Sequence, residues 1–124
     1  MKMNEYKSDY HPKFCKEFKK FINRNKCPTL ESDFKLFKKN LKDDISRNKL
    51  LPSKYHKISG LDSRVNQPAF IFKDFRCEGI NKGKKSGFRI TFLIINREYF
   101  YFTEIYHKNQ KDVEDKERIN ALFR

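Results

Sequence analysis

The chain has 124 residues, of which 29 are Lys or Arg and 16 are Asp or Glu, so its formal net charge is +13. This length predicts one domain, residues 1–124, with a single modest core. The charge favours a polyanionic partner: nucleic acid first, then an anionic membrane surface, then an acidic protein. The alternative is an AT-rich genome that inflates Lys. Thirteen Phe and six Tyr exclude a disordered basic tail.

Two amphipathic helices are predicted in the N-terminal third. PKFCKEFKKFINR, residues 12–24, repeats Phe at helical spacing, and Pro12 suits a first helical turn. TLESDFKLFKKNLKDDI, residues 29–45, continues the pattern, with Thr29 as the expected N-cap. Residues 4–9 have room for a brief preceding strand.

Strands are predicted in the C-terminal half. Residues 47–68 suggest an irregular connection that can hold a short strand. Residues 69–77 are strand-like, and two further segments form a hairpin around Asn96 and Arg97, central in the sheet. A terminal helix within 111–123 is expected, capped by Asp112 and supported by a Glu114–Arg118 pair. The fold class is therefore α+β: a helical hairpin on a small antiparallel sheet of three to five strands.

The cysteines and the apolar segments bear on location. Cys15, Cys27 and Cys77 lack the paired spacing of a zinc site, so the sequence predicts buried thiols in a reducing compartment, without metal or cofactor. No apolar run is long enough to span a bilayer, and the N-terminus lacks an apolar signal core. A cytoplasmic protein with no membrane partner is expected.

The stretch KSGFRITF places Arg89 in a strand whose apolar residues include Phe88 and Ile90. An arginine can bind a phosphate through two parallel hydrogen bonds, and nearby lysines add positive charge. At the end of the next strand, Tyr106 and His107 supply a phenol and an imidazole. Such groups suit metal-independent RNA cleavage, in which a base takes the 2′-hydroxyl proton, cations stabilise the pentavalent phosphate and an acid protonates the leaving oxygen.

Each of these features also has a purely structural explanation. Arg89 can pair with Glu104 across the hairpin, the lysines can form a solvated loop, and His107 can be structural. The aromatic YFYF segment, residues 99–102, is mainly core, although Tyr101 can stack on an unpaired base.

Several of these segments resemble the RelE/ParE superfamily of type II toxin–antitoxin toxins, and in particular its RelE-like ribonuclease branch. The similar features are the basic turn ending in Ser86-Gly87-Phe88-Arg89, the strand end Ile105-Tyr106-His107-Lys108, and the lysine-rich helical hairpin. The similarity covers most of the chain apart from residues 47–68. Asn109 stands where some branches carry an arginine.

The resemblance implies an mRNA endonuclease that cuts codons in the ribosomal A site, inhibits translation, arrests growth and is inactivated by a cognate antitoxin in a hetero-oligomer. It implies that Arg89 contacts the scissile phosphate. The expected catalytic residues are Arg89, His107, Lys73 and Tyr106. The expected RNA-binding residues are Arg76, Lys82, Lys84, Lys85, Lys108 and Lys111.

Two rival functions remain open at this stage. A ParE-like toxin of the same fold would poison DNA gyrase by binding it, without nuclease chemistry. A non-catalytic RNA- or DNA-binding module would use the basic surface for affinity alone, and its binding would weaken steeply with salt.

Overall fold

The computed structural model describes residues 6–47, 53–79 and 86–124 of the chain. Its elements, in chain order, are β1 (Lys7–Tyr10), α1 (Pro12–Asn23), α2 (Leu30–Arg47), β2 (Tyr55–Lys57), β3 (Ala69–Phe72), β4 (Phe88–Ile95), β5 (Tyr99–His107) and α3 (Lys116–Ala121). The five strands form one mixed sheet in the order β1-β5-β4-β3-β2. The α+β class is confirmed, as are the central positions of β4 and β5.

The sheet is mixed, whereas the sequence predicted antiparallel pairing throughout. β1 runs parallel to β5, and the other neighbouring strands are antiparallel, so the prediction is wrong at this one edge. β1 and β2 form the two edges of the sheet. Within the described ranges, no helix has both the length and the apolar character needed to cross a membrane.

The two long helices begin differently. α1 begins after His11, whose Nδ1 accepts the backbone N–H of Lys13 at 3.0 Å. Thr29 stands immediately before α2, at the predicted N-cap position, and its carbonyl accepts the Asp33 N–H at 2.9 Å. Its hydroxyl accepts the Gly79 N–H at 2.9 Å and donates to the Asp33 carboxylate at 2.6 Å, so the side chain joins a distant loop to the helix.

One face of the sheet, called here the helix face, packs against α1 and α2. Its core is largely aromatic because alternate residues of β4 and β5 and one stripe of each helix turn inward. It is built around Phe14, Phe21, Phe34, Phe37, Leu41, Phe88, Ile90, Phe92, Phe100, Phe102 and Ile105.

The other face, called here the far face, carries a smaller core. Residues 58–65 and α3 pack there on the central strands. Its buried members are Ile58, Ala69, Ile71, Leu93, Tyr106 and Ile119. The far face is therefore partly covered rather than open to solvent throughout.

The hairpin between β4 and β5 forms at the predicted turn. Asn96 and Arg97 have positive φ angles of 51° and 57°, and the Glu98 N–H donates to the Ile95 carbonyl at 2.9 Å. Ile95 pairs with Tyr99, so the loop spans residues 96–98. Further along, Thr91 pairs with Glu104 whereas Phe92 pairs with Phe102, so one extra residue bulges from β5. The bulge reverses which side chains of β5 face the helices.

The C-terminal helix is shorter than predicted and begins later. Asp115, not Asp112, caps α3 by accepting the Arg118 N–H at 3.1 Å. Arg118 bonds Glu17 of α1 through both terminal nitrogens, at 2.8 and 3.0 Å, instead of pairing with Glu114. The helix is thereby tied to the middle of α1.

The cysteines depart from the expectation of three buried thiols. Cys27 and Cys77 are buried but joined as a disulfide across 50 residues of sequence. Cys15 is a free, exposed thiol. Sequence spacing cannot reveal the disulfide, because the fold brings the end of the helical joint to the segment after β3.

Candidate nucleic-acid interface

Arg89 lies on the far face of the sheet. Its neighbours in β4, Phe88 and Ile90, both pack into the core under the helices, so the side chain between them points the other way. Its cross-strand partner is Tyr106, which belongs to the far-face core. Arg89 is half-buried, and its Nε is a buried donor without a hydrogen-bond partner in the described part of the chain.

Glu104 does not neutralise this arginine. Glu104 lies opposite Thr91 and is only 2% exposed. Its carboxylate forms an ion pair with Lys111 and accepts the Asp115 backbone N–H at 2.8 Å. Among residues 6–47, 53–79 and 86–124, no carboxylate forms an ion pair with Arg89, so its positive charge stays available for a ligand.

Tyr106 lies opposite Arg89 in the neighbouring strand. Burial, together with the negative charge of Glu114, raises the pKa of Tyr106 to about 12, although the neighbouring Arg89 acts in the opposite direction. The phenol therefore stays protonated near neutral pH. Because Tyr106 is 3% exposed, its ring is part of the far-face core rather than an exposed surface.

Lys73 follows the last residue of β3. The β3–β4 ladder ends where Phe72 pairs with Ile90, the residue after Arg89, so Lys73 lies one residue beyond the paired part of the strand. Lys73 is exposed. Arg76, by contrast, lines a cleft of about 310 Å³ whose wall includes Asp33 and Phe37 of α2. Lys73 therefore lies at the end of the ladder that contains Arg89, whereas Arg76 lies beside the helices.

His107 lies on the helix face. Its cross-strand partner is Phe88, and the two rings meet edge to face with centroids 5.1 Å apart. Nδ1 accepts the Asn109 N–H at 3.1 Å, and the other nitrogen lies 3.0 Å from the Ser86 carbonyl oxygen. Because a backbone N–H occupies Nδ1, the proton of the neutral ring sits on Nε2 and is donated to Ser86. Both nitrogens are thus engaged, on the face away from Arg89.

The remaining predicted binding residues are scattered. Lys108 is exposed at the end of β5, and its backbone N–H donates to the Gly87 carbonyl at 2.9 Å. Lys111 is held by Glu104, with its ammonium 5.0 Å from the centre of the Tyr106 ring. Lys82, Lys84 and Lys85 lie outside the described residues.

Sequence reasoning missed His56. This exposed residue of β2 pairs with Ile71, a member of the far-face core, so its imidazole belongs to the same face as Arg89. The available signal was weak, because β2 has three residues and lies in a segment without periodicity. The cue in the sequence is the aromatic Tyr55 followed by the polar His56, of which the structure buries the first and exposes the second.

No known protein family, no curated protein and no solved structure matches this chain.

Proposed function

We propose that this protein is a RelE-like toxin: a metal-independent endoribonuclease that cuts mRNA in the ribosomal A site and is held inactive by a cognate antitoxin in the cytoplasm. The observation that carries the proposal is Arg89, a half-buried arginine on the far face that pairs with no carboxylate in the described ranges. A desolvated cation left unpaired is costly in a folded protein and is typical of a site awaiting an anion.

The arrangement of the helices adds support. Two helices pack on one face of the sheet, and the last three strands are consecutive and antiparallel, as the family resemblance implies. The opposite face then presents Arg89, and the exposed Lys73 follows Phe72 at the end of the neighbouring strand. Both can bind the phosphate backbone of an RNA strand, Arg89 through its planar fork and Lys73 as a mobile charge.

In the proposed reaction, the RNA 2′-oxygen bonds to phosphorus as the bond from phosphorus to the 5′-oxygen breaks. Arg89 stabilises the charge that develops on the phosphate. A base must accept the 2′-hydroxyl proton, and an acid must protonate the leaving 5′-oxygen. Of the three histidines in the chain, His11 caps α1, which leaves His56 and His107 for these steps. His56 is exposed on the face of Arg89, whereas His107 is engaged on the opposite face.

The role of His107 as a proton carrier stays a prediction. Its hydrogen bonds support a positioning role, because they hold the Ser86–Gly87 turn from which β4 and Arg89 begin. Comparing His56→Gln with His107→Gln separates these roles. Loss of the base should slow cleavage about 100-fold or more with RNA binding unchanged, whereas loss of a positioning residue should weaken both cleavage and RNA binding.

The direct test measures mRNA cleavage on translating ribosomes by the wild type, Arg89→Ala and the matched control Arg24→Ala. Arg24 is an exposed arginine at the end of α1, so its loss removes the same charge far from the far face. Losing Arg89 should slow cleavage about 100-fold or more, whereas the control should stay within about twofold. Equal loss in both variants would mean that net charge alone matters.

A non-catalytic RNA-binding module is the second candidate, and two observations favour it. Both nitrogens of His107 are hydrogen-bonded on the face away from Arg89, and the buried Tyr106 phenol, with a pKa of about 12, stays protonated near neutral pH. The same cleavage experiment decides between the two functions. RNA binding that weakens steeply with salt, without any product ending in a 2′,3′-cyclic phosphate, would establish the binding module and refute the nuclease.

A further inference from the structure

Three metal-ligating side chains converge where the helical joint meets the segment after β3. Cys27 precedes α2, Asp33 lies in its first turn, and Cys77 follows β3. Their ligand atoms all lie within 4.8 Å of one another. Exposure is 2% for Cys27, 0% for Cys77 and 8% for Asp33, so the cluster is almost fully removed from solvent.

The cluster is held in place by hydrogen bonds as well as by its disulfide. The same Asp33 oxygen accepts the Thr29 hydroxyl at 2.6 Å and the Glu78 N–H at 3.1 Å. The Gly79 N–H also donates to Thr29 at 2.9 Å. These bonds tie the segment that carries Cys77 to the start of α2 without involving sulfur, so the three ligands stay together after reduction.

We propose that the reduced chain binds one zinc ion through Cys27, Cys77 and Asp33. A thiol reductant converts the disulfide into two thiols and is itself oxidised to a disulfide. Zinc then binds both sulfurs as thiolates and releases their two protons. Two thiolates and a carboxylate form a ligand set that binds zinc in preference to magnesium or calcium, because thiolates are soft donors.

The geometry is compatible with a tetrahedral ion. Zinc lies about 2.3 Å from each sulfur, which sets the two sulfurs about 3.8 Å apart. The Cα atoms of Cys27 and Cys77 are 6.0 Å apart, so rotation about the Cα–Cβ bonds supplies this separation. The fourth position belongs to a water molecule that enters from the 310 Å³ cleft, which Asp33 and Glu78 line.

Disulfide and zinc exclude one another because both use the same two sulfurs. The site therefore has two states: an oxidised state cross-linked by sulfur and a reduced state cross-linked by metal. Each state joins the α1–α2 joint to the segment that leads toward β4 and Arg89. The inference does not depend on the proposed nuclease activity, because metal binding is measured without RNA.

The test is a cobalt(II) titration of the phosphine-reduced chain in a Cys15→Ser background, which removes the exposed thiol. We expect thiolate-to-cobalt charge-transfer absorption that saturates at one equivalent and disappears when zinc is added. The oxidised chain should show none. Failure of the reduced chain to develop this absorption would overturn the proposal without bearing on the nuclease.

Variants then assign the ligands. Cys27→Ser and Cys77→Ser should each abolish the charge-transfer band or weaken binding at least 100-fold. Asp33→Asn should weaken zinc binding at least tenfold, although the amide oxygen can still accept the hydrogen bonds from Thr29 and Glu78. Asp43→Asn, an exposed acid on the same helix, is the matched control and should leave affinity unchanged.

Two outcomes would refute the ligand assignment. One is unchanged affinity in Asp33→Asn, and the other is a full band that survives in either cysteine variant. Circular dichroism establishes whether each variant is folded. If a variant fails to fold, the comparison of oxidised and reduced forms of the unmutated site decides the question by itself.

Discussion

Reducing the bond between Cys27 and Cys77 should lower the free energy of unfolding by about 4 kcal/mol when metal is removed by a chelator. The bond closes a loop with a sequence separation of 50 residues. In the chain-entropy treatment, such a loop restricts the unfolded chain by about 14 cal/mol/K, which is about 4 kcal/mol at 25 °C. The native state should change little, because the bonds from Gly79 to Thr29 and from Glu78 to Asp33 persist.

The measurement is urea unfolding of the oxidised and reduced chains in a Cys15→Ser background, followed by tyrosine fluorescence and circular dichroism. The reduced chain should unfold at lower urea, and its unfolded state should be more expanded, which raises the dependence of the free energy on urea. Zinc at about 100 times its dissociation constant should restore about 2.7 kcal/mol to the reduced chain. Equal stability of the two forms without metal would refute this reasoning, since the loop would then be constrained by something other than the disulfide.

Three further variants test single features of the fold. Burial and the charge of Arg118 lower the pKa of His11, so below about pH 6.5 the unfolded chain binds more protons than the folded chain and stability falls on acidification. His11→Asn retains an acceptor for the helix N-terminus and should flatten that fall between about pH 7 and pH 5 in urea titrations. Gly87→Ala should cost about 2 kcal/mol in thermal unfolding, because φ is +91° and a Cβ would lie 2.8 Å from Nε2 of His107; an unchanged melting temperature would contradict that geometry. Arg89→Met should leave the free energy of unfolding within about 1 kcal/mol of the wild type, or raise it, since it removes a buried donor that has no partner among the described residues. The same variant should weaken RNA binding about tenfold. A large loss of stability would show that Arg89 is structural.

The sequence predicts local elements well where one physical signal dominates. The helical stripe of Phe14, Phe21, Phe34 and Phe37 yields α1 and α2 because no other structure buries that spacing on one side. The turn around Asn96 and Arg97 is similarly determined, since an Asn between two strand-like segments favours a turn, and both residues adopt positive φ. The end of β3 is less predictable: Phe75 is buried like a strand residue but lies beyond the last paired residue.

Composition and periodicity do not predict contacts between residues that are far apart in the sequence. The disulfide is one such contact, and the bond from Arg118 to Glu17, 101 residues away, is another. A local i,i+4 pair with Glu114 is the simpler expectation for Arg118. The fold prefers Glu17 because α1 and α3 both approach the end of β5, where Glu17 also accepts the Ile105 N–H at 3.2 Å.

The composition of the candidate site depends on one inserted residue. Thr103 is the extra residue in β5, and its hydroxyl lies 2.6 Å from that of Thr91 on the far face. Without the bulge, strict alternation would put Tyr106 on the same face as Phe102, under the helices. With it, Tyr106 moves beside Arg89 and His107 moves beside Phe88. The side chains that accompany the arginine are therefore determined by a backbone irregularity that has no clear signal in the sequence. The sequence could thus place Arg89 in a strand but could not identify its neighbours.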